Sequence, residues 1–145
     1  MKWVKLGSLV LLGVVYVLAG INHFVNPDFY RPMMPPALPA HDLLIWLSGL
    51  AEVALGVGVF IPQTRRWAAW GIIALLIAVV PANIHIAVND IALDGGSEGA
   101  GAANWVRVAF QAVLILWAWW HTGPERGQDP SSSATTTSSP SSTTP

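Results

Sequence analysis

The sequence predicts an all-α protein: an integral membrane four-helix bundle with a proline-rich outer loop and a disordered C-terminal tail. Three observations predict it. Hydrophobic residues make up 53% of the 145 residues and charged residues only 10%, against about a quarter charged in soluble proteins. Four mostly apolar stretches recur along the chain, each about 20 residues long, the length of helix that crosses a hydrocarbon core. All eight tryptophans fall within a turn or two of the ends of those stretches, as expected of rings that rest at the headgroup level.

The stretches are 6–24, 43–61, 67–88 and 102–120, and with their connections they form one membrane domain over 1–121. The fourth is the weakest, because Asn104, Arg107 and Gln111 lie in its first turns, but it ends in Trp117, Trp119 and Trp120. The basic residues orient the chain. With the N-terminus inside the cell, Lys2, Lys5, Arg65, Arg66 and Arg126 are cytoplasmic and Arg31 lies outside, while segment 89–101 carries Asp90, Asp94 and Glu98 without one Lys or Arg. The positive-inside rule therefore places both termini in the cytoplasm, and the cell membrane is the expected location. A rival reading makes the first stretch a cleaved signal peptide, with Val17-Leu18-Ala19 as the cleavage site. Apolar character continues past Ala19 to Phe24, and cleavage would leave three spans.

The first connection, 26–42, holds Pro27, Pro32, Pro35, Pro36 and Pro39 among Phe29, Tyr30, Met33, Met34 and Leu38. Proline fixes φ and lacks a donor, so this segment reads as a short helical turn over 27–33 followed by an extended run lying on the outer mouth of the bundle. From residue 122 to 145 the chain turns to Gly, Pro, Ser and Thr, a composition that cannot bury enough surface to order itself.

A net charge of −1 excludes a nucleic-acid partner, which requires clustered Lys and Arg. The absence of cysteine excludes thiolate chemistry and iron–sulfur ligation, so any redox role must use a bound cofactor.

Polar groups inside spans are costly and therefore informative. Glu52 lies roughly 15 Å along the second helix, close to the bilayer midplane, where an acid needs a proton or a partner. Ser48 and Gly56 share its face, and Gly49, Gly56 and Gly58 let another helix approach. Its candidate partners are Asn22 and His23, Asn83 and His85, and Arg107 and Gln111, all in the outer halves of the other helices. Asn83 and His85 stand two residues apart, about 200° around a helix, so only one looks inward unless Pro81 bends the segment. Pro81 also leaves the carbonyl of Ile77 without its usual donor. Two readings follow: a polar ligand pocket floored by Glu52 and lidded by the proline-rich connection, or a network that locks the helices together. His23 and His85 as paired haem ligands need to face each other at one depth. With Glu52 they form no close-spaced metal motif, and no metal is expected.

The run from 19 to 89 resembles the DoxX-like family of small bacterial and archaeal membrane proteins. The resemblance rests on Ala19-Gly20 with His23-Phe24, Pro27 and Phe29, Pro35-Pro36, Leu38-Pro39, Ser48-Gly49 with Glu52 and Gly56, Arg65-Arg66, and Pro81-Ala82-Asn83. It implies a four-helix membrane bundle, and some relatives are subunits of a thiosulfate:quinone oxidoreductase or partners of other redox enzymes. Two functions are then in view. One is a redox-linked subunit holding a quinone head group, with His23 or Asn83 on a carbonyl and Glu52 relaying protons. The other is a non-catalytic assembly protein for a partner enzyme. Membrane lipid, a redox-protein partner and a second copy of the chain are the partners these readings imply, and quinone precedes haem as cofactor. Whether the chain is an enzyme is not written in its residues. A transporter fits less well, since four spans show no inverted repeat.

Overall fold

The computed structural model describes residues 2–92 and 100–123. Asp94 and Glu98, and the tail from residue 124 on, lie outside the described residues. Among the described residues every regular element is a helix: α1 (Lys2–Val25), α2 (Pro27–Tyr30) continued by a 3-10 turn (Arg31–Met33), α3 (His41–Phe60), α4 (Arg65–Val88) and α5 (Ala102–Trp120). The long ones, α1, α3, α4 and α5, are each long and apolar enough to cross a membrane.

Local sequence sets their limits. α1 meets no proline until Pro27, which occupies the first position of α2, where its missing N–H costs nothing. α2 is a fifth helix beyond the four long ones. Pro35 and Pro36 then keep the connection from continuing as helix, and Ala40 turns the chain into α3 with a left-handed φ of 54°. α3 stops before Pro62, and the Thr64 hydroxyl donates 2.8 Å to the Gly58 carbonyl to close a tight turn into α4. At the far end of α4, Asp90 adopts a left-handed φ of 47°. Its carboxylate accepts from the Gly101 amide at 2.6 Å and the Asn104 side chain at 3.1 Å, pinning the start of α5.

Successive long helices run antiparallel. α1 and α3 approach most closely, along a seam of facing glycines. A Cβ on Gly20 would lie 2.6 Å from the Gly49 carbonyl oxygen, and one on Gly56 2.9 Å from that of Gly13. The equal seven-residue spacing of Gly13 and Gly20 on one helix and Gly49 and Gly56 on the other keeps both contacts in register. α3 packs on α4, and α4 on α5. The apolar core gathers Leu9, Leu12, Tyr16, Val59, Ile72, Ile73, Leu76 and Ala118. Seven of the eight tryptophans are exposed. The exception, Trp117, packs against this core.

Candidate functional site

One end of the bundle carries the connection between α1 and α3, and there the polar side chains of α1 and α3 converge. His23, in the last turn of α1, lies with its Nδ1 3.5 Å from Oε2 of Glu52, side chains 8% and 14% exposed respectively. The same Nδ1 is 3.0 Å from the carbonyl oxygen of Ala19. A carbonyl only accepts, so Nδ1 carries the hydrogen and Nε2 is left as the acceptor in a neutral ring. Glu52 Oε2 is buried and has no hydrogen-bond partner among the described residues.

The helical turn α2 roofs this pair. Tyr30 stacks on His23 with ring centroids 3.7 Å apart and planes 19° from parallel, and Phe29 meets Tyr30 edge-on at 5.2 Å. Asn22 donates from Nδ2 to the Tyr30 hydroxyl at 2.8 Å, which leaves the phenol its own proton to donate. Burial raises the Tyr30 pKa above its ordinary value, against the pull of the Asn22 hydrogen bond. On the exposed side, Arg31 pairs with Asp28 and, at 2.8 Å, with Asp42, tying the connection to the first turn of α3. An open recess of about 520 Å³ adjoins this ion pair, lined by Arg31, Leu38, Ala40, His41, Asp42 and Leu43.

The remaining polar candidates divide into separate groups. Asn83 donates to Gln111 Oε1 at 3.0 Å, and Gln111, almost fully buried, donates to the carbonyl of Leu76. The carbonyl that receives help near Pro81 is thus that of Leu76, the residue before Ile77. Of Asn83 and His85, Asn83 meets another helix. His85 pairs instead with Asn89, one turn on, at 3.0 Å, and among the described residues no hydrogen bond, ion pair or ring contact joins it to His23 or Glu52. A haem held between His23 and His85 finds one candidate ring stacked under Tyr30 and the other engaged at its own helix end. Arg107 reaches Met33, its Nη2 3.9 Å from the sulfur, rather than Glu52. No group of three or more metal-ligating side chains occurs among the described residues.

The model of one protein family, described as a domain of unknown function (DUF8561), matches residues 12–122. The chain belongs to this family. No curated protein and no solved structure matches it. The DUF8561 match takes in α1 from Leu12 on and all of α3, α4 and α5, and includes His23, Tyr30, Glu52, Asn83 and Gln111.

Sequence reasoning did not anticipate Tyr30 as the roof of the acid, nor Gly13 and Gly20 as the counterpart of Gly49 and Gly56. The signal for the glycines was present in the matched spacing of seven. Tyr30 had no such signal, because its position over His23 depends on where the proline-rich turn folds back.

Proposed function

We propose that the chain is a multi-pass membrane protein of the cell membrane whose His23–Glu52–Tyr30 cluster receives a polar head group and exchanges protons with it, a quinone being the chemistry that fits best. The observation that carries the reading is the Glu52 oxygen buried without a donor beside a histidine. An acid at that depth that is not consumed by a structural hydrogen bond is free to bond a ligand or to pass a proton. The Tyr30 hydroxyl supplies a donor suited to a quinone carbonyl, and the stacked rings of His23 and Tyr30 keep water away. The seven exposed tryptophans support the membrane setting. The reading includes a DoxX-like character for 19–89, which would set the protein beside a redox enzyme.

In this reading the N- and C-termini are cytoplasmic and the connection between α1 and α3 faces outward. A second reading, a non-catalytic assembly protein, draws on the Asn83–Gln111–Leu76 chain, where every polar group engaged has a structural partner. Comparing two substitutions separates them. Glu52→Gln keeps the shape and most of the hydrogen-bonding capacity of the side chain but cannot ionise. On the proposal, it folds as the parent does yet loses quinone on purification in mild detergent. Retention of bound quinone by Glu52→Gln, together with unfolding of Glu52→Leu, would make the acid structural and favour the assembly role.

A further inference from the structure

At the opposite end of the bundle a second buried polar group joins the first and last helices. Trp117 donates from its indole Nε1 to the Ser8 hydroxyl at 2.7 Å, and Ser8 Oγ lies 3.1 Å from Nε2 of His121, the residue that follows α5. Only 3% of His121 is exposed, and its Nδ1 is buried without a hydrogen-bond partner among the described residues. α1 and α5 do not pack side by side along their lengths. This side-chain chain ties them together above the core that holds Leu9 and Ala118.

We infer that Ser8, Trp117 and His121 form a proton-sensitive latch that holds the end of α5 against α1 while the imidazole is neutral and releases it when the imidazole is protonated. A neutral ring needs one donor and one acceptor role, and the Ser8 hydroxyl can serve either at Nε2. Protonation makes both nitrogens donors, and Nδ1–H then points into a buried place where no described residue offers an acceptor. The charged groups that face the ring are Lys5 of α1 and Arg65 at the start of α4, both cationic. The described carboxylates Asp28, Asp42 and Asp90 belong to the other end, and Glu52 to mid-helix. Burial, then the charges of Lys5 and Arg65, lowers the His121 pKa below its ordinary value. The folded state thus favours the neutral ring. Its stabilising effect is full above the ordinary histidine value of about 6.5 and is lost as pH falls below that value towards the depressed one. The latch opens on acidification of the side that carries Lys5 and Arg65.

The absence of cysteine permits a direct test on the full chain. Spin labels on cysteines placed at the exposed positions Leu11 and Leu116 report the separation of α1 and α5 in detergent. The inference expects one narrow distance distribution at pH 8 that lengthens and broadens at pH 5. His121→Gln, which cannot be protonated, should give the same distribution at both pH values. Lys5→Met should keep the transition but move its midpoint to higher pH. If His121→Gln fails to fold, the Lys5→Met shift decides alone. A parental distribution that does not change between pH 8 and 5, a His121→Gln protein that responds as the parent does, or a midpoint unmoved in Lys5→Met would overturn the latch.

Discussion

Glu52 and Gln111 are both polar side chains sunk among apolar helices, and they differ in one respect. Gln111 spends its amide on two structural bonds, to Asn83 and to the Leu76 carbonyl, whereas Glu52 keeps an oxygen unspent. Gln111→Leu should therefore lower stability by about 1–3 kcal/mol, since it strands both partners. Asn83→Leu should cost less, because Gln111 retains its bond to Leu76. Thermal unfolding of the two variants in the same detergent checks the order. Tyr30→Phe keeps the ring over His23 but frees the Asn22 amide, and a loss of about 0.5–1.5 kcal/mol is expected. At this scale the approach of His23 to Glu52 was legible from their depths on different helices. The pairing of His85 with Asn89 was not, because a local partner one turn on is something depth reasoning ignores. Arg107 was drawn towards Met33 by the fold of the proline-rich turn, which apolar periodicity does not encode.

The glycine seam decides how α1 and α3 meet. Gly20→Ala places a Cβ 2.6 Å from the Gly49 carbonyl oxygen and 2.8 Å from the Val53 amide nitrogen. Backbone atoms cannot swing aside, so the helices must separate, at a cost of about 1–3 kcal/mol. Gly7→Ala on the same helix meets nothing within 4 Å and should be neutral or stabilise by up to about 1 kcal/mol through helix propensity. Melting both variants beside the parent tests the seam, and an equal response from the two would remove it from the account. The four long helices were legible because length, hydropathy and proline placement act locally. Their starts were less so: α1 begins at Lys2 and α4 at Arg65, since basic residues at a helix end are good helix formers that a hydropathy window excludes. The pairing of α1 with α3 became visible only when the two glycine spacings were set side by side.

For the whole molecule, the exposed apolar surface of α1, α3, α4 and α5 calls for lipid. On the proposed reading, the Lys and Arg residues concentrated at the end bearing Lys5, Arg65 and Arg66 put that end in the cytoplasm. The segment 131–145 is polar enough that its deletion should leave the melting temperature in detergent nearly unchanged. The central claim is that the chain crosses the membrane four times with the Glu52 cluster in its outer half. Reporter fusions near Arg65, near Gly96 and at the C-terminus test it most directly. The account predicts cytoplasmic, external and cytoplasmic readings in that order; an external C-terminus, or a cytoplasmic reading near Gly96, would contradict it.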